Sequence, residues 1–248
     1  MFQKKLNTIN VSLNYPNRSQ RNNEINPNSS CGPSNMIQGL QYSGWIWNDN
    51  VFPELEQPED KLTKFCRTDP VTLNYFNRKY KNLYENWLKE AQDLAKKNGK
   101  EIWEVETINA YSPNEIHDVM NFATNRFLGY SEEDIKNKYG PTEFVQYGSY
   151  GFDQLSAIIN NLQAGLPVVS SVKFGDFGHY ITIVGYTYYG NDTYEPKDII
   201  IDNTYGRFNF ETNKYDRVSG NDEYIPYEKF EGMIKPFLHV FSKGAATI

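Results

Sequence analysis

Cysteine and histidine are scarce in this chain, which has two of the first and three of the second among 248 residues. They are scattered, with no CxxC or HExxH spacing, so a structural or catalytic zinc site finds no support. Two cysteines, Cys31 and Cys66, in a chain of this length do not make a disulfide-stapled scaffold. Both are expected as thiols. Basic blocks are also missing: none exceeds two residues, and the formal net charge is −6. Nucleic-acid binding leaves a concentrated basic footprint, so it is not expected here. No window approaches the roughly 18 apolar residues that a membrane-crossing helix needs. The first residues, MFQKKLNTINVSLNY, carry two lysines with no apolar run after them, so this stretch does not read as a signal peptide in the form given. Localisation stays open.

What the chain does have is enough apolar residue, 39%, for a folded core in one domain. Its 19 tyrosines suit a wet cleft or binding surface, or reflect composition bias. Residues 1–30 are polar, with a hint of extended chain at 8–15. SSCGPSNMIQGLQYSG then opens a helix, with Ser29 or Ser30 as cap, Met36, Ile37 and Leu40 as its apolar stripe, and Gly44 as its end. Helices are expected at 59–65, at 78–98, from Ser112 with Glu115 three residues on, and from Ser131 with Asp134. The region from about 45 to 150 therefore reads as mostly helical. After a helix at 152–164 the character changes. Strands are expected at 166–174, 179–189, 198–203 and 236–242, with a turn into a short helix at 224–230. Helices first and strands later predict an α+β fold with an antiparallel sheet.

Four positions could carry chemistry. Cys31 stands at a helix N-terminus, where unpaired amides and the helix dipole favour the thiolate and could hold an oxyanion. A buried cysteine acting as a small hydrophobe is the plainer alternative, and it is the expectation for Cys66. His179 follows FGDFG and opens a strand, a loop rim where a side chain can face a cleft, with a flexible glycine before it. His117 reads as a surface or capping residue. His239 lies on the face of Phe237 and Phe241 and reads as core or edge. If 179–189 and 198–203 pair antiparallel, the start of one lies near the end of the other. That brings Asp202, with Asn203 beside it, close to His179.

SQRNNEINPNSSCGPSNM, GLPVVSSVKFGDFGHYITIVGY and IIIDNTYG together resemble the C39-like branch of the papain-like cysteine peptidases. QPEDKLTKF is similar to a stretch found in relatives. The resemblance implies a papain-like α+β fold. In it an antiparallel sheet packs on the helix that carries the nucleophile, in a single catalytic domain over 1–248 with a helical insertion at about 45–150. By position it implies Cys31 as nucleophile, His179 as general base, Asp202 as the residue that orients it and Gln20 as an oxyanion donor. The chain departs from the pattern twice. It has CGPSN where relatives have CGPT, and Asp202-Asn203 where relatives follow the acid with proline. Whether Asp202 or Asn203 orients the histidine is thereby left open. The implied reaction is cleavage of a peptide or isopeptide bond, with peptidoglycan among the candidate substrates, through a thioester and without metal or cofactor. An acyltransferase on the same scaffold and a non-catalytic binding protein that kept the fold are the alternatives.

Overall fold

The computed structural model describes residues 5–12, 17–47, 50–147, 151–175, 177–216 and 218–244. The chain forms two compact units: residues 1–19, 38–46 and 144–248 in one, and residues 20–37 and 47–143 in the other. The first elements are strand β1 (Leu6–Asn10) and helix α1 (Cys31–Tyr42). β1 covers only the start of the extended segment expected at 8–15; residues 13–15 lie outside the described residues.

The second unit is helical: α2 (Pro58–Thr68), α3 (Pro70–Lys79), α4 (Lys81–Asn98), α5 (His117–Phe127) and α6 (Glu132–Lys136). Its core gathers Phe76, Trp87, Ala91, Ala95, Val105 and Val119. The single helix expected at 78–98 is two, because Tyr80 leaves helical geometry (φ −135°, ψ 51°). The first of them was hidden in Asp69-Pro70-Val71-Thr72. Asp69 accepts a hydrogen bond from the Thr72 N–H at 2.9 Å, and Pro70 holds the first helical position. Ser112 does form a capping box with Glu115, but around a 3-10 turn, Pro113–Glu115. Ile116 is then extended, so the α-helix begins only at His117. Ser131 caps α6 as its spacing with Asp134 predicts.

The first unit is built on a sheet. Its later elements are β2 (Thr142–Gln146), α7 (Gly151–Gln163), β3 (Val168–Phe174), β4 (Phe177–Tyr189), β5 (Pro196–Asn203), β6 (Phe208–Asn209), β7 (Lys214–Tyr215), β8 (Gly220–Pro226), α8 (Tyr227–Glu231) and β9 (Ile234–Phe241). Among the described residues, seven strands make one sheet in the order β2-β9-β3-β4-β5-β8, with β1 also on β4. β6 and β7 form a small hairpin of their own. β4 is antiparallel to β3, β5 and β1. β3 takes residues up to Ile183 and β1 takes Gly185 to Tyr189, so the two follow one another along β4.

The α+β expectation therefore holds. An antiparallel sheet packs against helices, with Ile158, Ile159 and Leu162 of α7 on Val168, Val172, Ile181, Ile183, Ile199 and Ile201 of the central strands. Tyr42, at the end of α1, packs on Val184 and Ile200. The sequence reading misses β2, which lies inside the stretch read as helical, and the strand part of the 224–230 segment.

Candidate active site

His179 lies near the start of β4, and Asn203 is the last residue of β5. The two strands pair antiparallel with Thr182 opposite Asp202, which puts the end of β5 beside the start of β4. Successive side chains of a strand point to opposite faces, so Asp202 and Asn203 cannot serve the same site. Asn203 is the one on the histidine's side: its Oδ1 is 2.9 Å from His179 Nε2. Oδ1 also accepts the Tyr205 backbone N–H at 3.1 Å. That backbone donor fixes the amide, because only an oxygen can face it. An oxygen accepts only, so Nε2 must carry the imidazole proton, and Nδ1 is the nitrogen with the lone pair.

Asp202 faces the other way, wholly buried. Its Oδ2 accepts from Gln38 Nε2 at 2.7 Å and from the Tyr42 hydroxyl at 2.6 Å. Its Oδ1 accepts the Asp222 N–H at 2.8 Å. Gln38 and Tyr42 are four residues apart on α1 and so share a face of that helix. Burial pushes the Asp202 carboxyl up from 3.8 to about 6, against the pull of these donors. Burial and the Asp202 charge push the Tyr42 hydroxyl up as well, so it stays a donor.

The His179 ring is 6% exposed and lies among aromatic rings: Tyr215 at 5.7 Å, Phe174 at 6.1 Å and Tyr205 at 6.3 Å between centroids. Burial depresses its pKa from 6.5 to about 4, and the Asn203 bond offsets this only in part. The imidazole is therefore neutral at neutral pH in these surroundings. An opposite charge beside it would favour the imidazolium again.

Close approach in this region is made by a residue the sequence reading passed over. Gly220 lies opposite Asn203 on β8, and a Cβ there would sit 2.3 Å from the Asn203 carbonyl oxygen. Gly178, the glycine singled out before His179, has open space around it: a Cβ there would meet nothing within 4 Å.

Cys31 and Gln20 belong to the helical unit. Cys31 is the first residue of α1 and half-buried. Ser30 precedes it as N-cap: its carbonyl takes the first helical hydrogen bond, from Ser34 N–H at 3.0 Å. The coil before it is pinned by side chains. Asn23 Nδ2 donates to Ser30 Oγ at 2.9 Å and to Ser34 Oγ at 3.1 Å. Gln20 is buried in a 3-10 turn and gives one amide hydrogen to the Pro27 carbonyl at 3.1 Å. Asp60 of α2 accepts the backbone N–H groups of Glu24 and Ile25 at 2.8 and 2.9 Å. It therefore holds the Gln20–Cys31 coil to α2, a positioning task that gives QPEDKLTKF a structural use. Burial still raises its carboxyl above the usual range.

Cys66 is wholly buried with its sulfur 4.0 Å from Met120 Sδ, and burial pushes its thiol up to about 12. Neither cysteine is in a disulfide. His239 is buried beside Phe144 and Tyr180, inside a packed face. His117 is half-buried at the start of α5, and burial lowers it to about 4. Among the described residues, no cluster of three His, Cys, Asp or Glu side chains is placed to hold a metal ion. No helix among them is long and apolar enough to cross a membrane.

Comparison with curated proteins and with solved structures gives no significant match. The Peptidase_C39 like family, by contrast, matches residues 12–223, most of the chain, and the chain belongs to that family.

Proposed function

We propose that this protein is a cysteine peptidase-like hydrolase of papain-like fold, a single catalytic domain over 1–248. In it Cys31 is the nucleophile, His179 its base, Asn203 the residue that orients the base, and Gln20 an oxyanion donor. The observation that carries the reading is the buried His179–Asn203 pair at 2.9 Å. It fixes the imidazole in the tautomer that leaves Nδ1 able to take a thiol proton. Family membership and the place of Cys31 at a helix start support the same reading. The family's orienting position offers Asp202 first, but the Asp202 carboxylate is already engaged by Gln38, Tyr42 and the Asp222 N–H.

The reaction follows. Nδ1 of His179 takes the proton of the Cys31 thiol, and the sulfur attacks a substrate carbonyl carbon. The carbonyl oxygen gains negative charge, which the Gln20 amide and a backbone N–H at the α1 start stabilise. The tetrahedral intermediate collapses, the C–N bond breaks, and the imidazolium returns its proton to the departing amine. A water molecule, deprotonated by His179, then attacks the thioester, and the carboxylic acid leaves as the Cys31 sulfur is restored. Peptide and isopeptide bonds, including those of peptidoglycan, are the substrate class.

The test is alkylation of Cys31 by iodoacetamide against pH, in the wild type and in H179A, H117A and H239A. Wild-type Cys31 is expected to react below the ordinary thiol range near 8.5, and only H179A is expected to raise that profile. A wild-type profile at the ordinary thiol value, or the same rise in H117A or H239A, refutes the assignment. Mass spectrometry of peptides and peptidoglycan fragments after incubation then asks for new amine termini that H179A does not produce.

A further inference from the structure

Asn203 has two ends, and only one of them is used by the His179 pair. Its Oδ1 is fixed by His179 and by the Tyr205 N–H, which forces Nδ2 to point the opposite way. Asn203 is wholly buried, and Nδ2 makes no hydrogen bond within geometric limits. A buried amide N–H without an acceptor is unfavourable, so such a donor is expected to have a use. The group on that side is Glu223. It stands on β8, the strand paired with β5, where Ile201 is opposite Glu223 and Asn203 is opposite Gly220. Glu223 is 6% exposed, and its Oε2 likewise makes no hydrogen bond within those limits. The Asn203 side chain nonetheless stabilises the Glu223 carboxylate. A buried donor, Asn203 Nδ2, and a buried acceptor, Glu223 Oε2, thus stand on neighbouring paired strands, and the Asn203 side chain is one of the groups that favour the Glu223 carboxylate.

We propose that Glu223 is a positioning residue for the reaction: as a carboxylate it draws in the Asn203 amide N–H and thereby holds the Asn203 carbonyl on His179. The inference rests on the function proposed above. Its consequence is a switch. The groups that act on Glu223 are the Phe208 N–H and the Arg207 charge, which favour the carboxylate, and the Asp216 charge, which opposes it. Burial outweighs the favourable ones and pushes the carboxyl from 4.5 up to about 7. Below that pH the neutral acid is a weak acceptor and Asn203 is loosely held. Above it, the bond to Asn203 becomes charge-assisted, about twice as strong as a neutral one. The amide is then polarised toward His179, and Nδ1 becomes a better base. His179 itself titrates near pH 4 in these surroundings, well separated from this step.

The experiment follows the His179 ring nitrogens by NMR against pH, together with iodoacetamide alkylation of Cys31, in full-length wild type, E223Q and H179A. With three histidines in the chain the ring signals are assignable by single variants. In the wild type, an inflection near pH 7 is expected in the His179 ring shifts, with a rise of about fivefold in alkylation across it, the order of gain from a charge-assisted bond. E223Q is close to isosteric and cannot ionise. It is expected to fold and to lose the His179 ring-shift inflection near pH 7, leaving in its alkylation profile only the titration of the Cys31 thiol itself. A merely structural Glu223 would change the melting temperature and leave the ring-shift inflection in place. A ring-shift inflection absent from the wild type, or surviving in E223Q, overturns the inference. If H179A leaves alkylation unchanged, the function proposed above is what fails. If H179A suppresses alkylation while E223Q keeps the ring-shift inflection, only the role of Glu223 fails.

Discussion

Asp202→Asn separates the two neighbouring candidates on β5, and its effect on stability can be worked out beforehand. Asp202 is wholly buried, and three donors do not prevent burial from raising its carboxyl from 3.8 to about 6. At 1.36 kcal/mol per pH unit, that difference is worth about 3 kcal/mol. The folded state here binds the proton more tightly than the unfolded chain. The contribution is therefore fully present below about pH 4 and is lost as pH rises through about 6. An amide cannot ionise, so in Asp202→Asn this dependence disappears. The stability of the variant minus that of the wild type should rise by about 2.4 kcal/mol between pH 4 and pH 7, whatever its starting value. The starting value should be small. Gln38 Oε1 makes no hydrogen bond within geometric limits, so the Gln38 amide can turn to match the new group. Urea denaturation at pH 4, 5.5 and 7 measures the difference directly. A flat difference, or one that falls with pH, would mean that the three donors outweigh burial, and would refute the reasoning. In the same samples Cys31 alkylation should persist in Asp202→Asn and weaken in Asn203→Ala, because only Asn203 touches His179.

Gly220→Ala should push Asn203 off its place, since a Cβ there falls 2.3 Å from the Asn203 carbonyl oxygen. We expect a loss of about 1–3 kcal/mol in stability and a shift of the His179 ring nitrogen signals; unchanged signals would show that the strands relax independently of the pair. For the cysteines, one alkylated thiol per native chain and two after denaturation are expected, because Cys66 is wholly buried with its thiol pushed up to about 12. Intact mass showing a Cys31–Cys66 disulfide would contradict this.

The strands that frame His179 are legible in the sequence because they are long and almost continuously apolar. VVSSV and IIID are buried on both faces, and the ends expected from the pattern fall within two residues of the observed ones. β8 is not legible, because its buried positions include Gly220 and Glu223, neither of which looks like a core residue. β2 is masked in the same way by TEFVQ, whose burial alternates weakly. The pair formed by His179 with one of two adjacent residues was within reach of the sequence, but the face was not. Asp202 and Asn203 differ by one step in a period of two, and only the register with β4 decides which side of the sheet each takes. Gln38 and Tyr42 were also visible as an i, i+4 pair on α1, but nothing local announces that their partner lies 160 residues further along the chain. The role of Asp60 is equally non-local: it reaches back to a coil that has no periodic pattern of its own.

The way β1 and β3 share one side of β4 has a consequence for solubility. β3 leaves β4 at Ile183, and from Gly185 to Tyr189 the backbone on that side is matched only by Leu6 to Asn10. On the other side β5 is already in place. Detaching β1 would therefore not merely fray a terminus. It would turn the outer half of the sheet's longest strand into a bare edge displaying Tyr186, Tyr188 and Tyr189 beside unpaired amides, the kind of surface on which another chain can add a strand. A short segment far in sequence from His179 thus acts as a guard against aggregation, and its trimming should be felt first in the state of association and only later in the chemistry.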